Sequence, residues 1–167
     1  MKVLVLGASG IVGQHLRLSR PSDVEAIFHR HTHDGLHVLA DLAWGKELST
    51  LLNEHAPDVV INLAGQGQVD IVEQAPLQWH PINVLVPQKL AQWCKAHGKR
   101  LLHVSSQGVF SGEDPPYRPD SKTHPVNQYG RQKAQAEQAV LAYDQQVIRL
   151  TFVLGVRPLA SGRENPL

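Results

Sequence analysis

A single cysteine, Cys94, leaves no partner for an internal disulfide in this 167-residue chain, so the fold must be held by its core. The same scarcity fits a reducing compartment, and a cytoplasmic protein is expected. Long apolar runs are missing too. Nowhere do eighteen apolar residues follow one another, which argues against a helical membrane span. The stretch after Met1-Lys2 is too broken by glycine to serve as the apolar region of a signal peptide and reads better as a strand and turn. Net charge is only +1, too little to gather nucleic acid or an anionic membrane, and neither is expected as a partner. Repeats and low-complexity tracts are lacking. So is a metal-ligand cluster. His29, His31 and His33 alternate, but only Asp34 accompanies them, and a solvated His-rich turn is the simpler reading.

What is present begins at the N-terminus. Val3 to Leu6 is an unbroken apolar run, as expected of a parallel strand buried on both faces. Glycines follow at 7, 10 and 13, and from Ile11 the pattern turns helical. Strand, glycine turn and helix aim free backbone N–H groups at a phosphate. Gly7 permits the tight turn, Gly10 leaves room for a pyrophosphate, and Gly13 lets the helix lie close on its strand. The stretch Gly7, Ser9, Gly10, Ile11, Val12, Gly13 is therefore the expected dinucleotide cradle.

The length suits one domain. A helix is expected from Ile11 to Leu18, a strand over 24–28, a third strand over 36–40 and a helix over 44–55. A fourth strand with its terminal turn covers 58–65. A helix over 81–97 follows, with Pro87 disturbing its first turns, then a strand over 100–104. A loop at 111–125 carries four prolines and is long enough to be functional or mobile. A helix over 127–143 and a sixth strand over 146–150 complete the pattern. Successive β–helix–β units predict an α/β fold, a Rossmann-type doubly wound parallel sheet. Ligands of such sheets bind at the strands' C-terminal ends. At the end of the second strand an acidic residue would bind the 2′-hydroxyl of NAD, and a cation the 2′-phosphate of NADP. His29 and Arg30 stand there with no carboxylate at 28–31, which favours NADP, with NAD still open. The alternative is a merely solvated Arg30.

Tyr129 and Lys133 are four residues apart on one helix and share a face. A lysine ammonium there favours tyrosinate and lowers a phenol pKa normally near ~10, which suits a general acid or base. Ser106, at a strand end, can hold a carbonyl oxygen. The order matters more than the pair: glycine turn, then the serine, then Tyr-x-x-x-Lys.

With these features the chain resembles the extended short-chain dehydrogenase/reductase family, of NAD-dependent epimerase/dehydratase type. The matching stretches are Gly7 to Gly13, Asp41-Leu42, Asn62-Leu-Ala-Gly65, Asn83, Ser105-Ser-Gln-Gly-Val-Phe110, Tyr129-Gly-Arg-Gln-Lys133 and Arg149-Leu-Thr-Phe-Val-Leu-Gly155. Within the family, Ser106-x-x-Val-Phe110 and Pro125-Val-Asn-Gln-Tyr-Gly130 look most like dTDP-4-dehydrorhamnose reductase and its relatives. The resemblance implies a catalytic set. Ser106 orients substrate, Tyr129 is the acid/base, Lys133 binds the nicotinamide ribose, and Asn83 is either structural or a proton relay. It also implies adenine contacts from Asp41 and Leu42, and a cofactor-lining backbone at Ala64 and Gly65. A nucleotide-sugar substrate and a homodimer are in keeping with it.

The departures are specific. Family dehydratases carry an Asp-Glu pair after the Ser/Thr, where this chain has Gln107 and Gly108, so dehydration is disfavoured. Pro119 stands where the loop often has a glutamate, and Leu154 where a tyrosine is usual. Such enzymes continue for about another hundred residues, a small-domain increment. The expected division is therefore a nucleotide-binding domain at 1–156 and a tail at 157–167, with the substrate domain largely missing. Three readings remain open: a nucleotide-sugar reductase or epimerase, a non-catalytic NADP-binding module like the regulatory subunit of methionine adenosyltransferase, and a fragment of an enzyme.

Overall fold

The computed structural model describes residues 1–19, 25–29 and 46–153. Five strands form one wholly parallel sheet: β1 (Lys2–Leu6), β2 (Glu25–His29), β3 (Val59–Asn62), β4 (Arg100–Ser106) and β5 (Gln146–Leu150), in the order β2-β1-β3-β4-β5. The helices are α1 (Ile11–Ser19), α2 (Lys46–His55), α3 (Val69–Gln74), α4 (Pro76–His80), α5 (Val86–Ala96) and α6 (Gln128–Leu141). A wide π turn, Pro81–Leu85, joins α4 to α5, and a 3-10 turn, Gln107–Val109, follows β4.

The apolar runs of the sequence become buried strands. Leu4, Leu6, Val60 and Leu101 are almost wholly inaccessible and pack with Leu48 and Leu52 of α2 and with Ile82, Val86 and Leu90. These residues lie on one face of the sheet, and Val3 and Val5, which alternate with them along β1, are buried on the other, as a doubly wound fold requires. Strand order reverses about β1, whose neighbours are β2 and β3. The crevice beyond the C-terminal ends of β1 and β3 is therefore the topological switch point, where open α/β sheets take ligands.

The expected strand at 36–40 lies outside the described residues, as do Arg30, Asp41, Leu42 and the tail from 154. Two expectations are corrected. The helix expected over 81–97 starts earlier, at Pro76, and passes through the π turn. Pro76 suits a first helical position, where no N–H is needed, and the turn widens where Val86 N–H reaches back to Pro81 O, just ahead of Pro87. Second, β4 runs two residues past 104 and includes Ser105 and Ser106. The proline-rich loop has contacts of its own. Tyr117 stacks on Phe110 at 4.0 Å, and its hydroxyl accepts from Gly112 N–H at 2.9 Å and Asp114 N–H at 3.3 Å. Helix α3 was not foreseen at all.

Candidate functional site

The glycine turn divides its work between packing and openness. Gly7 has φ of +80°, and a Cβ there would lie 2.6 Å from Ala64 N, so backbone of the β3 end occupies that space. A Cβ on Gly13 would lie 2.6 Å from Ala8 Cα, which is how α1 comes down on the turn. At Gly10 the nearest atom is Gly7 O, at 3.5 Å. Ser9 and Gly10 are exposed. The first i to i−4 bond of the helix is Gln14 N–H to Gly10 O, 2.9 Å. Gly10 N–H is itself donated to Gly7 O at 3.2 Å, and the N–H groups of the first helical turn after it have no partner within the helix, as at the start of any α-helix. This is a cradle whose middle glycine no part of the described protein fills, and it fits the pyrophosphate of a dinucleotide.

Next to it opens a cleft whose walls include Ala64, Gly65, Asn83, Ser106, Tyr129 and Lys133. Each member is placed by its element. Ser106 ends β4, and its Oγ accepts from Gly108 N–H at 3.1 Å, capping the 3-10 turn. With an oxygen lone pair so engaged, the hydroxyl keeps its proton to donate. Tyr129 sits in the first turn of α6, whose N-cap Asn127 accepts from Gly130 N–H at 2.7 Å. Gly108 brings the two together. A Cβ on it would be 3.5 Å from Ser106 Oγ and 3.4 Å from the Tyr129 ring. Gly130 allows this approach, for a Cβ there would meet Gly108 O at 2.1 Å.

Lys133, one turn on, is only 6% exposed. Its Nζ donates to Val104 O at 2.8 Å and lies 3.3 Å from His103 Nε2. Burial lowers its pKa from 10.5 to about 8, against the opposing pull of the Glu137 carboxylate. His103 is wholly buried, and its pKa is held well below the ordinary histidine value, first by that burial and then by the Lys133 charge.

Asn83 projects from the π turn, 2% exposed. Its Oδ1 accepts from Gln66 N–H at 2.9 Å, and its Nδ2 donates to Gln66 O and Gln132 Oε1 at 3.3 and 2.9 Å. Both amide hydrogens are engaged, so in this arrangement Asn83 clamps the loop after β3 to α6. The sequence reading missed Gly130 and His103, and passed over Ser105 as a site residue. Ser105 Oγ is buried in the cleft wall with no hydrogen-bond partner among the described residues. Gly130 carried a signal, a glycine directly after the tyrosine at a helix start. His103 carried none beyond being polar inside a strand.

No group of three His, Cys, Asp or Glu able to hold a metal occurs among the described residues, and no helix there is long and apolar enough to cross a membrane.

Comparison with known proteins agrees with the fold. The family described as RmlD substrate binding domain matches residues 1–161. Methionine adenosyltransferase 2 subunit beta of Xenopus laevis is 30% identical over 92% of this chain and 47% of its own length. dTDP-4-dehydrorhamnose reductase of Mycolicibacterium smegmatis is 45% identical over 58% of this chain and 31% of its own. The solved dTDP-4-dehydrorhamnose reductase of Clostridium acetobutylicum superposes with a TM-score of 0.78 at 28% identity, covering 89% of this chain and 52% of that one. The chain spans about half the length or less of these relatives. It belongs to the RmlD substrate binding domain family, of the extended short-chain dehydrogenase/reductase type.

Proposed function

We propose that this chain supplies the cofactor site and the reacting groups of an NADP(H)-dependent reductase for keto-sugar nucleotides. The observation that carries this reading is that Ser106, Tyr129 and Lys133 line one cleft beside the glycine turn. The Gly7–Gly13 cradle holds the pyrophosphate, and Ala64 and Gly65 line the cofactor on the β3 side. Asp41 and Leu42 take the adenine, and His29 and Arg30 the ribose 2′-phosphate. When bound, the reduced nicotinamide supplies the hydride. The protein does the rest. Ser106 donates a hydrogen bond to the keto oxygen, Tyr129 O–H delivers the proton that completes the alcohol, and Lys133 holds the nicotinamide ribose. Gln107 and Gly108 offer no carboxylate pair for water elimination, so reduction is favoured over dehydration. dTDP-4-dehydrorhamnose, named by the reductases this chain resembles, is the first substrate to try.

The test is NADPH oxidation on adding that keto-sugar nucleotide, with Tyr129→Phe as the control. The expected result is NADPH binding in both proteins, with whatever turnover the parent shows abolished in the variant. A fully active Tyr129→Phe protein would refute the assignment of Tyr129. Arg30→Ala should weaken NADPH binding about ten- to a hundredfold, as for loss of one charge-assisted contact, and spare NADH.

A second reading is a non-catalytic NADP-binding subunit. Similarity to methionine adenosyltransferase 2 subunit beta over 92% of this chain supports it. NADPH binding with no oxidation of NADPH by any keto-sugar nucleotide would favour this reading.

A further inference from the structure

Behind Lys133 a buried hydrogen-bond chain runs back to the cofactor side of the cleft, and its directions can be assigned. Ala64 N–H can only donate, so the Asn62 atom 3.1 Å away is the acceptor Oδ1. That turns Nδ2 toward His103 Nδ1, at 3.2 Å. An amide nitrogen only donates, so Nδ1 must carry the lone pair. His103 is neutral in its buried site, which leaves its one proton on Nε2, the atom facing Lys133 Nζ at 3.3 Å. An ammonium has no lone pair to receive that proton, but an amine has one. With Lys133 as the amine every bond closes. It accepts from His103, donates to Val104 O at 2.8 Å, and keeps one N–H more.

To charge Lys133, the chain must reverse. The imidazole proton moves to Nδ1, the Asn62 amide turns over to accept it, and Ala64 N–H loses its acceptor. We propose that His103 is a positioning residue of the reductase site: its tautomer and the charge on Lys133 change together, with Asn62 as the latch between them. Only the word reductase rests on the function proposed above; the coupling rests on the atoms. Among the described residues, the Glu137 carboxylate acts on Lys133 from one turn along α6, and Tyr129 stands one turn to the other side. The Glu137 carboxylate is itself engaged by Arg149 of β5, with Nη2 to Oε2 at 2.7 Å. Since Lys133 titrates at about 8, the reversal falls in a range that can be followed in the intact chain.

The experiment is a pH titration by NMR of the 167-residue protein without ligand. Imidazole nitrogen shifts report the His103 tautomer, and lysine Cε shifts report the charge on Lys133. The expected result is an Nε2-protonated His103 above the Lys133 midpoint that becomes Nδ1-protonated with the same midpoint. Asn62→Asp keeps the shape but offers acceptors only. It should hold His103 as the Nδ1–H tautomer throughout and raise the Lys133 midpoint by about one unit, a tenfold change in its proton affinity. A His103 tautomer that does not change across the Lys133 titration overturns the proposal. So does a folded Asn62→Asp protein with the Lys133 midpoint unmoved. If that variant does not fold, the parent titration decides alone. A chain inert toward keto-sugars but showing the coupled titration would refute the proposed function and leave this inference standing.

Discussion

Lys133 lies in the interior with its Nζ on Val104 O and beside His103, and burial lowers its pKa from 10.5 to about 8. Between those two values the unfolded chain binds more protons than the fold. Stability contributed by this residue therefore rises with pH across that window, by ~3 kcal/mol at ~1.4 kcal/mol per unit. Below about 8 the cost of the buried charge is felt in full. Lys133→Met, similar in length and uncharged, should lose this rise. Urea unfolding of parent and variant at a series of pH values checks it: the two stability curves should diverge between pH 8 and 10.5, and parallel curves would contradict the linkage. The pair Tyr129 and Lys133 was legible because four-residue spacing on a helix is a local rule. His103 was not. Its partners Asn62 and Lys133 lie on another strand and on a helix, and only the register of β3 against β4, with Asn62 opposite His103, joins them.

Helix α6, strand β5 and the loop at 111–125 meet at Arg149. Its guanidinium holds the Glu137 carboxylate through Nε at 3.0 and 3.1 Å and Nη2 at 2.7 Å, donates to Pro119 O at 3.1 Å, and lies 4.9 Å over the Phe110 ring. Glu137 is only 2% exposed, so removing its partner strands a buried carboxylate. Arg149→Leu should cost ~3 kcal/mol, the low end for a broken buried pair, because the arginine itself keeps some contact with water. It should also speed proteolysis within 111–125. Denaturant unfolding and limited digestion measure the two effects, and a variant unchanged in both would show that the pair is not what ties these elements. At this scale the strands and long helices were legible from unbroken apolar runs and from apolar stripes. The misses have physical causes. Helix α3 is six residues long with no side-chain cap, too short to show a period. Pro76 and Pro81 both suit a helix start, so the sequence does not say which one begins the helix and which one enters the π turn. That Arg149 of β5 reaches the loop at 111–125 through Pro119 O was not legible, because β5 is distant in sequence.

Across the whole molecule, the proposed ligand site and the fold share one glycine turn, and two of its glycines, Gly10 and Gly13, should separate in experiment. A ligand that binds only the folded state stabilises it by about 2.7 kcal/mol at a hundred times its Kd. For a chain of this size that is a rise in Tm of roughly 5–11 °C. NADPH should produce such a rise in the 167-residue chain. Gly10→Val puts a side chain where a pyrophosphate would lie, while the nearest protein atom to its Cβ is Gly7 O at 3.5 Å. This variant should melt within a few degrees of the parent without ligand, since its own cost is a helix cap of about 1 kcal/mol, and should show no NADPH shift. Gly13→Ala does the reverse. Its Cβ would meet Ala8 Cα at 2.6 Å, an overpacking that costs ~1–3 kcal/mol, so it should melt lower before any ligand is added. Tyr129→Phe should keep the full NADPH shift, because in the proposed reaction Tyr129 serves the carbonyl and not the phosphates. Differential scanning fluorimetry on the four proteins reads all of this at once. An undiminished NADPH shift in Gly10→Val would move the cofactor away from the glycine turn, and with it the cleft would lose its claim to be where the hydride is delivered.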